Sequence, residues 1–175
     1  MTKKPYVHSN YARIPDDDYK TIDPRCVRAL VDTIPVHGKI VDCCAPSGSG
    51  IYDELKRLKR NAHCIGDAFS NFSADWVITN PPYKRGLVDS IVMEQIVRVQ
   101  NNEFVGFAAL LRNNFDFAKS RYEMFTSPSY FGQIHMMFRP WWSEEHEQSP
   151  IHNFVWHIWR FSEAEEPFVR YWKED

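Results

Sequence analysis

Four consecutive residues, Asn80-Pro81-Pro82-Tyr83, bring a side-chain amide, two prolines and an aromatic ring to the end of the apolar run Trp76-Val77-Ile78-Thr79. The run has the β-branched and aromatic content of a buried strand. The prolines end it, because neither has an N–H to give to a ladder and each fixes its own φ. The result is a stiff loop at the carboxyl end of a strand, where open α/β sheets bind ligands. Its groups suit a flat substrate that bears an amino group. Asn80 and the Pro81 carbonyl can each accept a hydrogen from an exocyclic NH2, while Tyr83 stacks on the ring face. The same residues would also serve a plain rigid turn, with a capping asparagine and a core tyrosine.

A second stretch with chemical potential lies upstream. Lys39-Ile40-Val41-Asp42-Cys43 reads as a central strand, Ala45-Pro46-Ser47-Gly48-Ser49-Gly50 as a glycine loop, and Ile51, Leu55 and Leu58 mark the helix after it. Glycines let a backbone approach a ligand closely, and a helix N-terminus favours a carboxylate. No Gly-Lys-Ser/Thr follows, as a phosphate loop would require, and the third glycine of a dinucleotide loop is missing. Ala62 to Gly66 reads as the next strand. Asp67 at its end can accept hydrogen bonds from ribose hydroxyls or an adenine amino group, and Phe69 and Phe72 offer flat surfaces beside it. Only Ala68 to Ala74 then separate this strand from the one that carries the tetrapeptide.

The elements that must position these loops follow from the same reading. Asp23-Pro24 starts a helix whose apolar stripe is Val27, Leu30, Val31 and Ile34. After the basic patch Lys84-Arg85-Gly86, the residues Leu87, Val88, Ile91, Val92, Gln95, Ile96 and Val99 mark a second helix with one apolar face. Phe104 to Leu111 is a continuous apolar run of the central parallel type. Its end, Arg112-Asn113-Asn114-Phe115, should share a sheet edge with the tetrapeptide, and Lys119, Ser120, Arg121 and Tyr122 follow on an expected helix. Phe131 to Phe138 and Asn153 to Phe161 are two further β-rich runs, joined by a loop that carries Trp141 and Trp142.

Taken together, the tetrapeptide after a strand and the glycine loop upstream resemble the Asn-Pro-Pro-Tyr signature of S-adenosylmethionine-dependent amino methyltransferases, especially DNA adenine-N6 methyltransferases. The stretch from Leu110 to Trp159, with its Arg-Tyr and Arg-Pro-Trp elements, is similar to small phage and prophage members. The resemblance covers most of residues 19 to 161. It implies an α/β, Rossmann-like class I methyltransferase fold: a mostly parallel sheet with an antiparallel C-terminal strand pair, abridged in the middle. The expected organisation is an N-terminal arm over residues 1–18 and one methyltransferase domain over 19–175. The implied reaction moves a methyl group from S-adenosylmethionine to the exocyclic amino nitrogen of adenine in DNA, duplex or single-stranded, with the base flipped out. Asn80, Pro81, Pro82 and Tyr83 would be catalytic. The cofactor would lie against Tyr19, Thr21, Asp42, Ala45, Pro46, Ser47, Gly48, Gly50, Asp67 and Asn80, although Asp42 stands two residues further from the glycines than the family pattern has it. The substrate would meet Tyr83, Lys84, Arg85, Asn113, Phe115, Arg121 and Trp142.

Composition narrows the alternatives. A net charge of -2 means that any contact with nucleic acid must come from a local basic patch. The four cysteines have no metal spacing and read as reduced thiols of a cytoplasmic protein, which the resemblance implies is bacterial or phage-encoded; no metal is expected. No segment has the length and apolarity of a membrane span. An RNA base or a protein glutamine amide poses the same chemical problem as adenine, so both are alternative substrates. Fewer than forty residues precede the first strand, whereas glutamine-modifying enzymes usually carry an extra helical domain there, and this favours a nucleic acid. A non-catalytic binding subunit with the same fold is the reading from a different class.

Overall fold

The computed structural model describes residues 23–142, 152–161 and 166–174. The expected arm over 1–18, Tyr19, Thr21 and most of the loop after Arg139 lie outside the described residues.

Among the described residues seven strands form one sheet: β1 (Lys39–Asp42), β2 (Asn61–Cys64), β3 (Trp76–Thr79), β4 (Gly106–Arg112), β5 (Tyr130–Met136), β6 (Phe154–Arg160) and β7 (Phe168–Trp172), in the order β2-β1-β3-β4-β6-β5-β7. The first four run parallel. β6 is antiparallel to both β4 and β5, and β7 returns parallel to β5. The expected antiparallel pair is therefore present, with the later strand inserted next to the parallel block. Sequence reading gave no strand for β7. Its side chains are mostly exposed, as suits an edge strand with little apolar pattern to reveal it.

Helices cover both faces. α1 (Arg25–Thr33) and α2 (Gly50–Arg57) pack on one side, where Val27, Leu30, Ile51 and Leu55 meet Ile40, Ile78, Leu110 and Trp156. α3 (Leu87–Gln100) and the short α4 (Tyr122–Phe125) close the other, with Ile91, Val92, Ile96 and Met124 against Val77, Phe107, Leu111 and Trp159. β3 and most of β4 are buried on both faces, which is why they read as unbroken apolar runs. Trp156 and Trp159 are fully buried, and their indole N–H groups donate to the Cys26 carbonyl at 2.7 Å and the Met124 carbonyl at 2.9 Å. Each thus anchors a helix on its own face of the sheet.

The start of α1 is as the sequence predicts. Asp23, buried, accepts the Arg25 backbone N–H at 3.1 Å, and Pro24 precedes the first helical residue. The middle of the chain is abridged as expected: after β2 the backbone passes directly through turns into β3, leaving β2 at the sheet edge.

Strand order reverses at β1. The chain leaves β1 for β2 on one side and then crosses to β3 on the other. In open α/β sheets the crevice at such a reversal, outside the strands' carboxyl ends, is where ligands sit. Here those ends are Asp42 and Thr79, the residues that lead into the glycine loop and the Asn-Pro-Pro-Tyr loop.

Candidate active site

Asp42 joins the two loops. Its carboxylate is buried and accepts from Ser49 Oγ at 2.6 Å, from Thr79 Oγ1 at 2.7 Å and from the Cys44 backbone N–H at 3.3 Å. Ser49 in turn caps α2 by accepting the Tyr52 N–H at 3.1 Å. One carboxylate thereby sets the entry of α2 and the end of β3 together. Asp42 acts through the loops it holds; its oxygens are engaged within the chain.

The glycine loop has the shape its composition predicts. Gly48 has a φ of 94°, a region side chains rarely adopt, and a Cβ added there would meet nothing within 4 Å. Open space beside backbone at a helix N-terminus is what a ligand with a carboxylate requires. Ala45 is buried and donates its N–H to Ile65 O at 2.8 Å, whereas Pro46 and Ser47 are exposed. Gly66 lies so close to Pro46 that an added Cβ would sit 2.4 Å from the proline's own, so the end of β2 and the glycine loop form one wall. Asp67 is exposed on that wall and steadies the turn by accepting the Phe69 N–H at 2.9 Å. Phe69 is 51% exposed beside it. Phe72 is occupied elsewhere: it stacks on Phe104 at 5.5 Å with the Arg98 guanidinium over its face.

In the second loop Pro81 is buried and Asn80, Pro82 and Tyr83 are half-buried. The Tyr83 hydroxyl contacts Asn80 Oδ1 and donates to the Leu110 carbonyl at 2.6 Å. Burial holds the Tyr83 phenol well above its ordinary pKa, so it keeps its hydrogen as a donor. Its ring packs at 5.6 Å from Phe154, and Trp142 meets Phe154 at 4.7 Å, edge to face. Trp142 therefore supports the tyrosine through Phe154.

Lys84 and Arg85 are exposed after Tyr83, and Asn113 is exposed at the end of β4. Two expected substrate residues are engaged within the chain. Phe115 is only 5% exposed and lies under Arg121, whose guanidinium sits 3.6 Å from the ring centroid, donates to Phe115 O at 2.8 Å and pairs with Asp89 of α3. The expected helix around Arg121 is mostly two short 3-10 turns, with α4 starting at Tyr122. The partner that captures this arginine comes from a distant helix, which local sequence does not display.

Sequence reasoning assigned no role of their own to Ser49 and Thr79, and placed Arg112 only within the edge stretch Arg112-Asn113-Asn114-Phe115. Each carries a signal in retrospect: a serine just before a helix, a lone polar residue in an apolar strand, and an arginine closing a buried run at the ligand end of the sheet. Arg112 places its guanidinium 5.5 Å from the Tyr83 ring centroid.

Two of the nearby thiols, Cys43 and Cys64, are held in the protonated form. Cys43 is held well above its ordinary pKa, first by its hydrogen bond with Cys44 and then by burial, and burial pushes Cys64 up to about 11. Neither is ionised at neutral pH. No group of three or more histidine, cysteine and acidic side chains that could hold a metal occurs among the described residues, and no helix there is long and apolar enough to cross a membrane.

No protein-family model matches the sequence, and no curated protein matches it. The solved structures similar to the chain include two methyltransferase-type proteins. A proposed RNA methyltransferase from Pyrococcus horikoshii shares 15% identity over 81% of this chain and 82% of its own, with a TM-score of 0.48. A proposed class I S-adenosylmethionine-dependent methyltransferase from Listeria monocytogenes shares 11% identity over 96% of this chain and 67% of its own, with a TM-score of 0.47. Both scores fall below one half, and the chemistry of this chain is read from its own residues.

Proposed function

We propose that the chain is an S-adenosylmethionine-dependent N-methyltransferase acting on the exocyclic amino group of adenine in DNA. The observation that carries the reading is the Asp42 bridge, which sets a glycine loop with room for a ligand beside an Asn-Pro-Pro-Tyr loop at the reversal of strand order.

The groups around the crevice fit the cofactor. The open backbone at Gly48 and the start of α2 suit its carboxylate and amino end, and Asp67 with the exposed Phe69 ring suits its ribose and adenine. When bound, S-adenosylmethionine supplies an electrophilic sulfonium methyl. Asn80 Oδ1 and the Pro81 carbonyl then accept the two hydrogens of the target amino group and turn its lone pair out of conjugation with the ring. Such alignment supplies several kcal/mol without a strong base, because the nitrogen releases its proton once it has become cationic.

Tyr83 fixes the geometry. An amide oxygen carries two lone pairs, so Asn80 Oδ1 can keep its contact with the Tyr83 hydroxyl and also accept from the substrate amino group. The part of Tyr83 that stays exposed offers a surface for a base taken out of its stack.

The test pairs two measurements on wild type and Asn80→Ala: calorimetric titration with S-adenosylmethionine and methyl transfer to unmethylated DNA. Cofactor binding by both proteins, with transfer by wild type alone, is the expected result. Absence of cofactor binding to wild type would overturn the reading in favour of a non-catalytic subunit.

A further inference from the structure

The stretch from Asp67 to Ala74, between β2 and β3, belongs to no strand or helix, so no ladder satisfies its backbone carbonyls. Surface connections ordinarily give such groups to water. Here α3 takes them. Gln95 Nε2 donates to the Ala68 carbonyl at 2.8 Å, and the Arg98 guanidinium donates to the Ser70 carbonyl at 3.3 Å and to the Phe72 carbonyl at 2.9 Å. The two side chains stand three positions apart on one face of the helix, and both are buried. Arg98 is fixed in turn. Its Nε donates to Glu103 at 2.9 Å, and its guanidinium lies 4.3 Å from the Phe72 ring centroid and 4.4 Å from that of Phe104. Taking an arginine out of water to hold a stretch of connecting backbone is costly, and simple closure of the chain does not require it.

The groups that this clamp leaves outside give it a purpose. The Ala68, Ser70 and Phe72 carbonyls are held by α3, while Asp67 and the Phe69 ring stay exposed on the wall beside the glycine loop. Asp67 is also tied locally: its carboxylate accepts the Phe69 N–H at 2.9 Å and its carbonyl accepts the Ser70 hydroxyl at 2.7 Å. An acceptor and a flat ring on backbone anchored from behind lose little freedom when a ligand arrives. We propose that Gln95 and Arg98 are positioning residues for the cofactor, holding Asp67 and Phe69 where they meet the ribose and adenine of S-adenosylmethionine. The inference rests on the reading of the crevice as a cofactor site and adds what shapes its adenosine end.

The experiment is calorimetric titration of S-adenosylmethionine into wild type, Arg98→Met, Gln95→Met, Asp67→Ala and the two double variants that combine Asp67→Ala with each of the others. Chemical denaturation of every protein confirms that it is folded at the temperature used, and amide hydrogen exchange without cofactor reports on the segment itself. Arg98→Met keeps the stem and removes the donors. The Phe69 and Ser70 amides should then exchange faster than in wild type, and cofactor affinity should fall roughly tenfold, because the segment must be ordered on binding. Gln95→Met should act in the same direction. Since both residues act through the segment that carries Asp67, each double variant should lose clearly less than the product of its two single losses, which a separate structural role would not produce. Losses that multiply in full, or wild-type affinity in both Arg98→Met and Gln95→Met, would overturn the positioning role while leaving the cofactor site standing. If Arg98→Met fails to fold, Gln95→Met and its double variant decide alone. Wild type that does not bind the cofactor would overturn the cofactor reading and the clamp with it.

Discussion

Thr79 donates a 2.7 Å hydrogen bond to the buried carboxylate of Asp42, tying the last residue of β3 to the last residue of β1. Asn80 follows Thr79 directly, so a bond inside the sheet fixes where the Asn-Pro-Pro-Tyr loop begins. Removing the hydroxyl with Thr79→Val keeps the volume and leaves one Asp42 oxygen short of a donor. The expected cost is about 1 to 2 kcal/mol of stability in chemical denaturation. Turnover should fall by roughly tenfold, as a displaced positioning group predicts. Wild-type turnover in this variant would show that the bridge does not position the loop.

Asp42→Ala removes the acceptor for Ser49, Thr79 and the Cys44 N–H at once. The expected loss is about 3 kcal/mol, because several donors are stranded beneath both loops. Weaker S-adenosylmethionine binding should accompany it, since the α2 cap depends on Ser49. Denaturation and calorimetry on one preparation test both effects.

For Asn80→Ala, kcat should fall on the order of 100-fold, the usual consequence of deleting one preorganised polar group. Cofactor affinity should stay within about twofold of wild type. A matching drop in cofactor affinity would instead make Asn80 chiefly a cofactor ligand.

Tyr83→Phe keeps the ring and removes the hydroxyl that meets Leu110 O and Asn80. Stability should fall by about 1 kcal/mol, and kcat should drop more than KM rises, because the ring can still stack while Asn80 loses its restraint. A rise in KM alone would point to a binding role for the hydroxyl.

Acid sensitivity should trace to His157. Its ring is fully buried beside Tyr130, Phe125 and Trp159, and burial, followed by the charge of His135, lowers its pKa from 6.5 to about 3. The unfolded chain takes up a proton below pH 6.5 while the folded ring stays neutral until about pH 3. Stability is therefore fully present above 6.5 and is lost as pH falls, by about 1.4 kcal/mol per unit from this group. Between pH 6.5 and about pH 5 the loss is ~2 kcal/mol. His157→Gln should flatten that part of the denaturation profile; an unaltered slope would place the sensitivity elsewhere.

Much of the parallel half was legible because its signals are local. Trp76-Val77-Ile78-Thr79 followed by two prolines specifies a buried strand and a stiff loop without reference to anything distant, and Gly48 declares a turn that other residues resist. The short passage between Asp67 and Trp76 also leaves no room for another helix and strand. The antiparallel half was less legible. Phe154 to Arg160 reads as a strand, but its insertion between β4 and β5 is decided by which apolar face it completes in three dimensions. The surroundings of Arg121 were hidden for the same reason: its partner Asp89 lies 32 positions away, and Phe115 is covered by that same guanidinium. Arg112 was legible only as part of a stretch at the tetrapeptide's sheet edge; that its guanidinium sits 5.5 Å from the Tyr83 ring is decided by packing that local sequence does not display.

The most direct test of the central claim is transfer of a labelled methyl group from S-adenosylmethionine to unmethylated duplex and single-stranded DNA, followed by nucleoside analysis of the product. The account predicts label in N6-methyladenine, lost in Asn80→Ala. A protein that binds the cofactor but leaves both DNA forms unlabelled, while labelling RNA or a protein glutamine, would contradict it.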